Sequence, residues 1–372
     1  GGSNYGYNVT SKQSNSKRAT LQFQIKFPFD DDTVYLCYAL PYTYTYLKQS
    51  ISNWKSTAQC SFTHTTLCKT LGGNECPILT LENPNSSIPQ SKKDCILLTA
   101  RIHPGESNGS YVMHGLIDFL TSSHPAAELL LENHIVKIIP MINIDGVIEG
   151  YYRIGLAGSD LNRVWMNPNP AIHPVICAIK DLVKSIQEER KIAAYIDFHG
   201  HSRLHGTFAY GCPNDKTELI TPTLDVNTHA DVDEEADANS NKDQDDDLLS
   251  DLQKESSSEH LSENELSHLT HIEKIYPRMV AYLSDAFSWG NCVFSIPKER
   301  KAASRIVMRK EFNIIQSFTV ESSFGGIMNG PRAGYLYDEI IWKELGAKCG
   351  EGLFHLLTES SLYNLCKRKI YF

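Results

Sequence analysis

His103-Pro-Gly-Glu106 sets an imidazole and a carboxylate three residues apart, directly behind the apolar run Cys95–Ala100. A second histidine follows another apolar run in Tyr195-Ile-Asp-Phe-His199-Gly-His201, and a late carboxylate closes a third in Ser317-Phe-Thr-Val-Glu321. Catalytic zinc takes three protein ligands and keeps a fourth position for water, and two histidines with one carboxylate form one of its standard sets. His103 and Glu106 would supply two ligands from one turn and His199 the third from a neighbouring strand end, which leaves Glu321 as a general base. The rival signature, His-Glu-x-x-His on one helix, is absent. His201 is assigned a structural role rather than ligation.

A second group lies between these motifs: Asn143-Ile-Asp-Gly146, then Tyr152-Arg153, then Asp160-Leu-Asn162-Arg163. Two arginines and an amide after a strand suit a carboxylate clamp, because guanidinium grips a carboxylate through two parallel hydrogen bonds. In an open α/β sheet the strand ends along one edge share a crevice, so residues distant in sequence can meet there.

The elements that must carry these residues follow from periodicity. Apolar runs at residues 95–100, 135–142 and 192–198 read as buried strands, with further strands between 60 and 100. Amphipathic stretches at 44–52, 110–120, 126–133, 178–189, 272–287 and 336–357 read as helices. Strand, helix and strand in alternation predict an α/β/α sandwich around a mixed, largely parallel sheet. Residues 41–372 form this catalytic domain. Before it, Leu21–Phe27 and Thr33–Tyr38 alternate about the turn Pro28-Phe-Asp-Asp-Asp32, which predicts a hairpin. Residues 1–40 are accordingly read as the end of a small antiparallel β domain, a β-sandwich whose earlier part is missing.

Composition narrows the function classes. At 372 residues with a net charge of −9, the chain suits one large domain plus a smaller piece. The charge is concentrated: Asp225–Glu265 holds 15 acidic residues against two lysines, so this tract carries −13 and the rest +4. The tract lies in a stretch, 214–267, too polar to offset its ordering entropy, and is predicted to be a disordered insertion. It could fold back as an intramolecular mimic of an acidic substrate. No apolar stretch reaches the length of a membrane span, the first residues show neither a basic nor an apolar signal-type region, and neither membrane nor nucleic acid is expected as a partner. The ten cysteines are scattered rather than paired as Cys-x-x-Cys, which favours reduced thiols in a cytoplasmic protein. Cys60, Cys68 and Cys76, spaced at eight residues beside His64, could hold a minor structural metal.

These motifs together resemble the cytosolic carboxypeptidases, the branch of funnelin-type zinc metallocarboxypeptidases that removes glutamates from tubulin and other proteins. The resemblance rests on Pro41-Tyr-Thr-Tyr-Thr45, His103-Pro-Gly-Glu-Ser107, Asp160-Leu-Asn-Arg163, Asp197-Phe-His-Gly-His-Ser-Arg203, Tyr276-Pro-Arg-Met279 and Glu321-Ser-Ser323, in the family's order. It implies one zinc ion on His103, Glu106 and His199, with Glu321 activating water at the metal. By the same resemblance Arg153 stabilises the oxyanion, Asn162 and Arg163 hold the substrate's terminal carboxylate, and Arg305 lines a pocket for a glutamate side chain. Lys301, Arg309 and Lys310 compete with Arg305 for that last role. Two departures stand out: Ile144 replaces the family's proline, and Arg309 stands where a tryptophan is common.

The expectation is thus a cytoplasmic, monomeric zinc carboxypeptidase acting on acidic protein tails, with tubulin and microtubules as expected partners and neither nucleic acid nor membrane among them. The alternatives are an exopeptidase or amidohydrolase of the same fold with another specificity, and a non-catalytic module that binds tubulin tails.

Overall fold

The structure, a computed structural model, describes residues 25–213 and 272–357. The chain divides into two compact units, residues 1–38 and 39–372. Of the first unit, residues 25–38 are described; they keep the turn at Asp30 and Asp31, with Asp31 at φ 54°, but contain no strand. The predicted hairpin is therefore not formed in this part, and residues 21–24 lie outside the described residues. A lone two-stranded hairpin is marginal without further strands to bury its apolar face. The acidic stretch 214–267 also falls outside the described residues.

In the second unit the described residues form seven strands: β1 (Ser61–Lys69), β2 (Glu75–Glu82), β3 (Asp94–Ala100), β4 (His134–Ile139), β5 (Ile192–His201), β6 (Thr207–Tyr210) and β7 (Gln316–Ser323). They make one sheet in the order β1-β2-β4-β3-β5-β7-β6. Its centre, β4-β3-β5-β7, is parallel, and the β1–β2, β2–β4 and β6–β7 pairs are antiparallel. Nearly every residue of β3, β5 and β7 is buried. Both faces of a strand can be buried in this way only when the sheet is covered on both sides.

The cover comes from helices α1 (Tyr44–Thr57), α2 (Ser107–Leu120), α3 (Pro125–Asn133), α4 (Ile144–Glu149), α5 (Pro174–Glu189), α6 (Ile275–Leu283), α7 (Ser304–Lys310) and α8 (Glu339–Leu357). Helices α2, α3, α6 and α8 pack on one another, α1 and α5 lie against β1, and α7 lies against β5 and β7. Each expected helix is present with shifted ends. Pro174 starts α5 a turn early, as its fixed φ suits a first helical position. The stretch expected as a helix to Phe287 ends at Leu283. Short α4 and α7 and strand β6 escape a periodicity reading because they are too brief to show one. Ile144 takes the first position of α4, where the Asn143 side chain caps Gly146 N at 3.0 Å. A proline would fit this position equally well, so the departure from the family's motif leaves the turn intact.

Candidate metal centre

Strand β3 ends at Ala100, and the chain reverses through Arg101, a non-glycine residue at φ 58°. Such a conformation costs about 1–3 kcal/mol and persists only where surroundings over-determine it. Here the buried Arg101 guanidinium donates to the carbonyls of Pro104 (2.7 Å) and Tyr42 (3.1 Å) and to Ser110 Oγ (2.9 Å). This clamp fixes the loop that carries His103 and delivers Glu106 as the residue before α2. Helix α2 then passes so close to the end of β5 that a Cβ on Gly109 would lie 2.9 Å from Phe198 O and 3.2 Å from the His199 backbone. Glycine at that position is what lets the Glu106 loop and the His199 strand meet.

The three expected ligands do converge. His103 Nδ1 lies 2.7 Å from Glu106 Oε1, and His199 Nδ1 lies 3.0 Å from Glu106 Oε2, which also accepts from Gly200 N. One ligand atom from each falls within 4.8 Å of the others, and all three side chains are buried. No other cluster of three such ligands occurs among the described residues, so Cys60, Cys68, Cys76 and His64 do not form the second metal site considered above.

The far nitrogen of each imidazole is held by a second carboxylate. His103 Nε2 meets Asp160 Oδ1 at 3.1 Å, and His199 Nε2 meets Asp197 Oδ2 at 2.8 Å. With the protons fixed on Nε2, both Nδ1 lone pairs point at one centre, the tautomer that a metal requires. Two imidazoles and a carboxylate so arranged fit zinc in donor type and orientation. Burial alone would lower both imidazoles' pKa values. The carboxylates outweigh it, raising His103 through Glu106 and Asp160, and His199 well above its ordinary value through Asp197 and Glu106. Burial would likewise raise Asp160, but the His103 hydrogen bond and the His103, Arg153 and Arg163 charges hold it well below the ordinary carboxylate range.

Asp160 also ties the metal side to the clamp residues. Its Oδ2 accepts from Arg153 Nε at 2.9 Å, and its Oδ1 from Asn162 N at 2.8 Å. Arg163 donates to Asn162 O at 2.9 Å. The Asn162 side-chain oxygen accepts from Ser304 N at 2.9 Å, and Ser304 Oγ donates to Asp197 Oδ2 at 2.8 Å. Thr99 Oγ1 donates to the other Asp197 oxygen. Arg153, Asn162 and Arg163 therefore belong to the same network as His103 and His199. Glu321, buried on β7, pairs in register with His199 on β5.

Arg305 follows Ser304 on α7 and is 3% exposed. Its guanidinium lies over the Tyr210 ring, 5.2 Å from the centroid, and its Nε and Nη1 have no hydrogen-bond partner. Of its rivals, Arg309 donates to Asn313 Oδ1 at 3.1 Å. His201 shares the strand face of His199, since β5 continues through it and alternate residues face one way. What occupies it is local: its Nδ1 accepts from the amides of Arg203 and Leu204, and its ring meets Phe208 edge-on.

Four contributors were not anticipated: Asp160, Asp197, Ser304 and Arg101. Asp197 carried a signal, because strand alternation puts it on the face of His199. Nothing in the local pattern marks Ser304 or Arg101.

The zinc carboxypeptidase (M14 peptidase) family profile matches residues 51–333. Cytosolic carboxypeptidase 1 of Gallus gallus is 34% identical over 362 residues, covering 93% of this chain and 26% of the relative. Cytosolic carboxypeptidase 2 of Danio rerio is 34% identical over 346 residues, covering 91% of this chain and 41% of the relative. The chain thus spans well under half the length of these curated relatives. Among solved structures, a Burkholderia cenocepacia metallo-carboxypeptidase aligns with a TM-score of 0.62 at 20% identity, covering 85% of this chain and 69% of that one. That likeness shows the fold. The profile match over most of its length establishes that this chain belongs to the zinc carboxypeptidase family, and within it the chain is similar to cytosolic carboxypeptidases.

Proposed function

We propose that this domain is a zinc-dependent metallocarboxypeptidase that removes glutamate from C-terminal or side-chain polyglutamate tails of proteins such as tubulin. The observation that carries the substrate choice is Arg305, a buried cation whose Nε and Nη1 have no hydrogen-bond partner. A buried charge left unpaired is costly, so such a group is retained where an incoming anion completes it. A glutamate side chain is an anion of the right size to do so.

His103, Glu106 and His199 hold the metal in this reading, with Asp160 and Asp197 orienting the two imidazoles. When bound, zinc supplies a Lewis acid that polarises a carbonyl and acidifies water. Asn162 and Arg163 bind the terminal carboxylate of the tail and set the scissile bond in place. Glu321 takes a proton from the attacking water, a step that its neighbour strand to His199 puts within reach. Arg153, oriented by Asp160, faces the charge that develops on the carbonyl oxygen, and a preorganised donor there is worth about 3–4 kcal/mol.

The reading extends to a monomer working in the cytoplasm, in keeping with the naming of the relatives as cytosolic. No described helix is long and apolar enough to cross a membrane. The test is mass spectrometry of glutamylated tubulin peptides incubated with the zinc-loaded protein. Loss of glutamate with wild type, reduced selectively on polyglutamate by Arg305→Ala, is expected. Equal loss from non-glutamate ends by both forms would make it an exopeptidase of another specificity. Microtubule cosedimentation with no release at all would leave a binding module.

A further inference from the structure

We propose that Cys68 and Cys76 form a peroxide-responsive thiol pair that closes to a cross-strand disulfide on oxidation. The two residues are direct partners in the antiparallel β1–β2 ladder. Positions so opposed have Cα atoms about 4.5–5.5 Å apart, within the range a disulfide spans without backbone movement. Their side chains leave the sheet on the same face, and both are free thiols. The register shifts between Thr66 and Cys68, and such an irregularity gives the β1 strand local play beside the pair.

The two thiols are chemically unequal, as a sensor pair requires. Cys68 is half-buried and Cys76 fully buried. The neighbouring Cys76 thiol holds Cys68 below its ordinary pKa despite some burial, while the Cys68 thiol and burial raise Cys76 well above its own. Thiolate character and access select the cysteine that peroxide attacks. Cys60 is pushed up to about 11 by burial and is the poorer nucleophile. Cys177 on α5 is also raised, first by burial.

The chemistry balances with hydrogen peroxide as oxidant. The Cys68 thiolate attacks one peroxide oxygen, giving the sulfenic acid and releasing hydroxide. Cys76 sulfur then attacks the Cys68 sulfur and expels the hydroxyl; with the Cys76 proton it leaves as water. Two thiols are oxidised to one disulfide as one peroxide is reduced to two waters.

The experiment treats the folded, reduced protein with a small excess of hydrogen peroxide, blocks remaining thiols and maps the peptides without reduction. A peptide linking Cys68 to Cys76, lighter by two hydrogens and released by dithiothreitol, is expected. Fragmentation must distinguish Cys60 from Cys68, since both lie between Lys55 and Lys69. In Cys76→Ser the disulfide should vanish and Cys68 should become trappable by dimedone as its sulfenic acid. Linkage of Cys68 to Cys60 or Cys177, or oxidation elsewhere while both thiols stay reduced, would overturn the proposal.

Discussion

His199 and Glu321 face each other in register across the parallel strands β5 and β7. Neighbouring strands lie about 4.8 Å apart, so one ladder fixes a candidate metal ligand and a carboxylate side by side. Glu321, the proposed base, does not depend on a loop to bring it beside His199. Both residues sit where those strands approach the same edge of the sheet, and Glu106 reaches that edge from the loop after β3.

Glu321→Gln is expected to fold and to bind zinc like the wild type, because the ligand set is untouched. Turnover of a glutamylated peptide should fall by about 10²–10⁴-fold, the usual worth of a positioned general base. Zinc content by elemental analysis and kcat on the same preparation check this. An active Glu321→Gln enzyme would remove Glu321 from the chemistry.

Asp197→Asn should separate orientation from ligation. The variant keeps the hydrogen bonds from Thr99 or Ser304 in part, but it no longer fixes the proton of His199 on Nε2. Loss of such an outer partner typically lowers metal affinity about 10–100-fold. Ser304→Ala should move affinity the same way by less, since it removes one donor to Asp197 while its backbone amide still holds Asn162. Competition with a chelator reads both. Unchanged affinity in Asp197→Asn would mean that the imidazole is held by Glu106 and its loop alone.

Gly115→Ala should destabilise the fold by about 1–3 kcal/mol or more, although the same change in an open helix stabilises by up to about 1 kcal/mol. A Cβ on Gly115 would run into the Lys343 carbonyl of α8, and one on Gly346 into the Val112 carbonyl of α2. The two helices pack backbone to backbone at this crossing, and the obstacle is main chain that cannot rotate away. Urea denaturation of the metal-free protein measures the loss; a stability equal to wild type would show that the helices can separate freely here.

The convergence of His103, Glu106 and His199 was legible in the sequence because each follows or ends a run of buried strand residues, and such ends share an edge in this fold class. Helices long enough to show a period, such as 107–120 and 174–189, were legible for the same kind of reason. Asp160 and Asp197 are harder to read: a carboxylate near a histidine in sequence is equally at home on the surface, and only the fold turns it toward the ring. Arg101 and Ser304 act through the backbone conformation and a single hydroxyl, which no periodicity records. The hairpin expected at 21–38 shows the converse limit, since an alternating pattern states what a strand would bury but supplies no partner for it.

Stability should fall on mild acidification through His114. This buried imidazole meets the Tyr42 hydroxyl at 3.0 Å and packs against the Tyr46 and Trp54 rings. Burial pushes its pKa down to about 4, against an ordinary 6.5. Between those values the unfolded chain binds a proton that the folded protein refuses, so the equilibrium shifts toward unfolding as pH drops. The contribution is complete above pH 6.5 and declines toward pH 4, by up to about 3 kcal/mol. Carboxylates elsewhere add their own acid dependence, so the informative quantity is a difference between two proteins. His114→Gln retains a group able to meet the Tyr42 hydroxyl but does not titrate. Its denaturation free energy should therefore change less between pH 7 and pH 5 than that of the wild type. Parallel pH profiles would mean that the imidazole gains its proton without leaving the aromatic cluster.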